Sequence, residues 1–127
     1  MAKILISGES RFPVNRKVLR DVVEKFLTEQ KIKSEVEVSI AIVGDRKMRE
    51  LNKIYRKIDQ TTPVLSFSLE EGRPFVTPPD GVLHLGDIVI SYPQTVGAAA
   101  KENKLVDQKI SELIRHGLAN LFGIENL

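Results

Sequence analysis

The sequence predicts an α+β fold, a small mixed sheet of about four strands packed against helices. Three observations predict it. Large apolar residues recur at every second position from Val36 to Ile42, apolar residues recur at helical spacing in other segments, and the signals follow the order strand, helix, strand, helix, hairpin, two helices.

Lys3 to Ser7 reads as a short first strand. Asn15 then offers an N-cap to an amphipathic helix carrying Leu19, Val22, Val23, Phe26 and Leu27 on one face. Val36, Val38, Ile40 and Ile42 alternate with Glu37, Ser39 and Ala41, the pattern of a strand buried on one side. Asp45 reads as the N-cap of a second helix that runs to Arg56. Residues 64–68 and 85–90 read as two further strands, joined by a long exposed hairpin loop with Gly72, Pro74, Pro78, Pro79 and Gly81. A short helix over 94–103 and a longer one over 107–122 complete the chain, the latter stopped by Gly123.

A chain of 127 residues that is 42% hydrophobic has the length of a single domain, taken here as residues 1–127. At that size one core buries about two-thirds of the unfolded surface. Basic and acidic residues nearly balance, 19 against 17, so a polyanionic partner depends on where the charges lie rather than on their sum. The absence of cysteine excludes a disulfide framework and a thiolate zinc site. Any transition metal would rest on oxygen ligands and on His84 and His116. His84, just before a strand, reads as solvent-facing or as a remote second ligand. No run approaches the ~20 apolar residues of a membrane span, and the N-terminal apolar stretch is too short for a signal-peptide core. The expectation is a cytoplasmic protein without a membrane partner.

Two helices carry residues suited to chemistry. On the second, Met48, Leu51 and Tyr55 fall on one face, and Arg46, Arg49, Lys53 and Arg56 fall opposite at spacings of three and four. Such a basic stripe can track phosphates, with an arginine gripping one through two hydrogen bonds. It is equally the polar face that any amphipathic helix turns to water. On the last helix His116 and Asn120 sit one turn apart at the edge of the apolar stripe, and a left-handed Gly123 would turn the chain so that Asn126 returns toward them. The spacing suits three ligands, but an asparagine carbonyl belongs with hard cations such as calcium or magnesium rather than with zinc. The plain alternative is that His116 is a partly buried histidine satisfied by a backbone carbonyl.

Taken together, Leu51-Asn52 with Tyr55-Arg56, Val64-Leu65-Ser66-Phe67, Leu85-Gly86-Asp87-Ile88, and His116-Gly117 with Leu121 and Gly123 resemble the YbeY family of zinc-dependent, single-strand-specific endoribonucleases. Nearly the whole chain takes part. The resemblance implies 16S rRNA 3′-end maturation and ribosome quality control, with single-stranded RNA and the ribosomal small subunit as partners. It also implies a three-histidine zinc that activates water near an arginine. Carried over by position, His116 is the first histidine and Arg56 the arginine, whereas Asn120 and Asn126 stand where the other two histidines are expected. Glu125 replaces an aspartate, Pro63 an Asp or Asn, and Thr61 a proline.

Three functional readings follow, the plainest being a stable soluble domain with no nucleic-acid role. In the first the chain is a metal-assisted endoribonuclease, with His116, Asn120 and Asn126 or Glu125 holding zinc and Arg56 positioning the scissile phosphate. In the second it is a catalytically impaired RNA- or ribosome-binding protein of the same fold, with or without a weakly held hard cation.

Overall fold

The computed structural model describes residues 2–68 and 81–124. Its elements are β1 (Ala2–Gly8), α1 (Arg16–Glu29), β2 (Glu35–Val43), α2 (Asp45–Arg56), β3 (Val64–Ser68), β4 (Val82–Ser91), α3 (Tyr92–Glu102) and α4 (Val106–Phe122). Every predicted element is present. β4 starts at Val82 rather than Leu85 because its parallel pairing with β2 extends to Glu35. α3 starts at Tyr92 because Ser91 caps it, its hydroxyl accepting from the Gln94 N–H at 3.3 Å, and Pro93 is tolerated in a first turn. The predicted hairpin appears as an antiparallel β3–β4 pair, and the connecting residues 69–80 lie outside the described residues.

The sheet order is β1-β2-β4-β3. β1, β2 and β4 run parallel, and β3 is an antiparallel edge strand on β4. Val36, Val38, Ile40 and Ile42 of β2 are buried with Leu19, Val23 and Phe26 of α1 and with Ile110, Ile114 and Leu118 of α4. On the opposite face Met48 of α2 packs with Leu65 and Val89, against half-buried Ala41 and Val43. Helices thus cover both faces. The alternation expected of β2 holds along its length, its other side being half-buried, with Ala41 and Val43 packed against the Met48 cluster.

One irregularity aligns the core. Glu37 pairs with His84 and Val38 with Gly86, so Leu85 is an extra residue bulged out of the ladder. The bulge lets Leu85 and Ile88, three residues apart, enter the same core. It also sets Gly86 at φ +135°, where an added Cβ would lie 2.0 Å from the Phe67 carbonyl oxygen. Only glycine fits there. Gly117 of α4 serves a second close approach, with three side-chain atoms of Ile88 each 3.1 Å from where its Cβ would be.

Asn15 caps α1 as expected, its side-chain oxygen accepting from the Lys17 and Val18 N–H groups at 3.0 and 3.4 Å. Asp45 does not cap α2. Gly44 is the extended N-cap residue, and Asp45 is the first helical one. Its carboxylate instead accepts from the Thr61 hydroxyl at 3.0 Å, the Ser91 hydroxyl at 2.8 Å and the Gln94 side chain at 3.3 Å. These bonds tie the start of α2 to the approach to β3 and to the start of α3. Among the described residues no helix is long and apolar enough to cross a membrane.

Candidate functional site

The basic residues of α2 divide into two groups. Its buried residues are Met48 and Asn52, while on the predicted apolar face Leu51 is half-buried and Tyr55 exposed. Asn52 is drawn inward because its side chain donates to the Gln60 carbonyl at 2.8 Å. Arg46, Arg49 and Lys53 are exposed and line a shallow surface together with Glu50 and Asp59. There the Arg49 Nε donates to Asp59 at 2.8 Å, and this hydrogen bond, more than any other influence, holds the Asp59 carboxyl below the usual carboxylate range. The stripe is therefore partly neutralised by its own pair.

Arg56 stands apart from that group. Its Nη2 donates to the Ser66 carbonyl oxygen on β3 at 2.7 Å, and its guanidinium carbon lies 5.4 Å from the centre of the Phe67 ring. Tyr55, beside it, is 59% exposed and leans on the same Phe67 at 5.0 Å with the ring planes 60° apart. Helical spacing places Tyr55 on the face of Met48 and Arg56 on the opposite stripe; no local signal reveals that both reach β3.

On the other helix, His116 and Asn120 are exposed, one turn apart. The reading of His116 as partly buried is corrected: Gly117 and Leu118 take the inner positions of α4, which rotates His116 outward. His116 borders a groove of about 470 Å³ lined also by Pro63, Val64, Lys109, Glu112 and Leu113. Glu112, one turn before His116, is engaged by Lys104 at 2.8 Å and by Lys109 at 3.6 Å, and the Lys104 hydrogen bond is the main cause of its lowered pKa. His84 lies 3.4 Å from a Glu37 carboxylate oxygen across the β2–β4 pair. Gly123, at φ +69°, ends α4 as predicted. Asn126 and Glu125 lie outside the described residues.

Edge strand β3 links the two halves of the site. Pro63 and Val64 meet the His116 groove, and Ser66 and Phe67 meet Arg56 and Tyr55. Thr61, in the position the resemblance gives to proline, uses its hydroxyl to bond Asp45. Pro63 supplies its carbonyl to the Ser91 N–H at 2.9 Å. Both departures thus have structural work in this chain.

The donor chemistry around His116 does not fit zinc. One imidazole and the neutral carboxamide of Asn120 are adjacent, and the near carboxylate of Glu112 is held by two lysines. Among the described residues no group of three His, Cys, Asp or Glu converges on a point.

An α+β domain whose edge strand separates an arginine on one helix from a histidine on another defines the class. The family model Endoribonuclease YbeY matches residues 8–126, and the chain belongs to this family. An Endoribonuclease YbeY of Dehalococcoides mccartyi (strain CBDB1) is 34% identical, the match covering 97% of this chain and 79% of that protein. One from Roseiflexus castenholzii is 34% identical over 89% of this chain and 71% of its own length. A Thermotoga maritima protein of known solution structure superposes with a TM-score of 0.60 at 27% identity, covering 95% of this chain and 73% of that one.

Proposed function

We propose that this chain is a single-stranded RNA-binding protein of 16S rRNA maturation and ribosome quality control in which phosphodiester hydrolysis is impaired. The observation that carries the reading is the donor set on α4: His116 is followed one turn later by the carboxamide Asn120. Changes in outer-shell partners alone lower metal affinity about ten- to a hundredfold, and replacing a direct imidazole ligand by a neutral amide weakens zinc further. Family membership supports RNA as the partner. Exposed Arg46, Lys53 and Arg56 supply charge for its phosphates, with Arg49 shared with Asp59. The proposed setting is the cytoplasm, on the ribosomal small subunit, and the proposed unit is a single domain over 1–127.

A second reading keeps hydrolysis, with His116, Asn120 and Asn126 holding a metal and Arg56 positioning the scissile phosphate. The outward position of His116 at the groove favours it. The experiment is equilibrium binding of single-stranded and duplex RNA to the purified chain, with zinc or with chelator. The proposal expects preference for single strands, affinity indifferent to chelator, and weaker binding by Arg56→Ala. Affinity and cleavage that both vanish with chelator support the second reading instead.

A further inference from the structure

Resting on the RNA-binding reading above, we propose that Tyr55, backed by Phe67 and flanked by Arg56, is a stacking subsite for an unpaired base of single-stranded RNA. Tyr55 adds little to the core, since the buried side chains of α2 are Met48 and Asn52. Its ring is nevertheless held in place. Phe67 supports it from the sheet at 5.0 Å, and Arg56, anchored on the Ser66 carbonyl, occupies the neighbouring position over Phe67. A supported ring with more than half of the residue open to solvent loses little freedom when a second flat group covers it.

Charge selects the occupant. Arg56 is exposed and shares the Phe67 ring with Tyr55, so a phosphate beside a stacked base meets a cation. An aromatic face with flanking basic groups binds single strands with little preference among bases, because every base presents a π face. A duplex cannot use it, its bases being stacked on one another. A phosphate-only interface would not require the ring.

The chain has two tyrosines and no tryptophan. In a Tyr92→Phe protein, Tyr55 is therefore the sole reporter of intrinsic fluorescence, and the Phe12 contact of residue 92 can be kept by phenylalanine. This protein is titrated with an oligouridylate and with an abasic oligonucleotide of equal length. The expected result is quenching by the base-bearing strand and little by the abasic one. Tyr55→Ala should weaken oligouridylate binding about tenfold or more while leaving abasic binding unchanged, and Tyr55→Phe should restore it. Far-ultraviolet circular dichroism checks that each variant is folded. Equal affinity of Tyr55→Ala and its parent for oligouridylate would overturn the subsite alone and leave the patch to a protein partner. No binding of either oligonucleotide by the parent would overturn the RNA reading as well.

Discussion

Arg56 is bonded to the sheet through Ser66, whose carbonyl oxygen accepts from its Nη2 at 2.7 Å. Because β3 is an edge strand, the bond covers a backbone acceptor that another strand could otherwise use. It also holds a guanidinium beside the exposed ring of Tyr55. One side chain thus closes the end of α2 onto the sheet and places a positive charge at the proposed RNA surface.

Arg56→Ala should lower stability by about 0.5–1.5 kcal/mol, the usual worth of one such hydrogen bond, and weaken RNA binding. Arg56→Lys keeps the charge but not the planar fork, so it should recover only part of either loss. Urea unfolding and RNA titration of the same two proteins check both effects.

Gly86→Ala should be among the most damaging single changes in the sheet. Its Cβ would sit 2.0 Å from the Phe67 carbonyl at a φ that alanine rarely adopts. The expected loss is about 3 kcal/mol or more, read as a fall in the thermal midpoint. A change within about 0.5 kcal/mol would mean that the bulge at Leu85 relaxes freely.

Gly117→Ala tests the seam between α4 and β4. With three Ile88 atoms each 3.1 Å from the new Cβ, about 1–3 kcal/mol should be lost. Trimming the opposing side chain with Ile88→Val should recover part of that loss. Non-additive unfolding energies in the double-mutant cycle are the signature sought.

The Glu102, Lys104, Lys109 and Glu112 ladder joins the α3–α4 turn by contacts of 2.8–3.6 Å. Hydrogen bonds from lysines hold the Glu102 and Glu112 carboxyls below their ordinary 4.5, and the Glu112 and Glu102 carboxylates hold Lys104 above its ordinary 10.5. The carboxylate part of the stabilisation is therefore present above 4.5 and lost as pH falls through the lowered values. The lysine part is present below 10.5 and lost as pH rises through the raised value. Lys104→Gln should lower the thermal midpoint between these limits, with the difference shrinking outside them and in high salt, since the groups are exposed.

Local pattern carries most of the fold. The alternation in β2, the apolar face of α1 with its Asn15 cap and the Gly123 stop of α4 are each written in consecutive residues, and the structure reproduces them. Long-range partners were not legible. Asp45 has the side chain of a cap, yet its bonds go to residues 16, 46 and 49 positions away. Helical spacing puts Tyr55 on the face of Met48, where it does meet Phe67 of β3, but it does not reveal that Tyr55 is 59% exposed or that Asn52, bonded to Gln60, is buried beside Met48. For the site, the pairing of His116 with Asn120 could be read from one helical turn, but the approach of Arg56 to Ser66 depends on the strand order.

The most direct test follows single-stranded RNA with the purified chain in zinc-containing buffer, reading bound and cleaved RNA from the same samples. The account predicts RNA that is bound and recovered intact, with cleavage gained only in an Asn120→His, Asn126→His protein. Zinc-dependent cleavage by the unaltered chain, abolished by chelator, would contradict it.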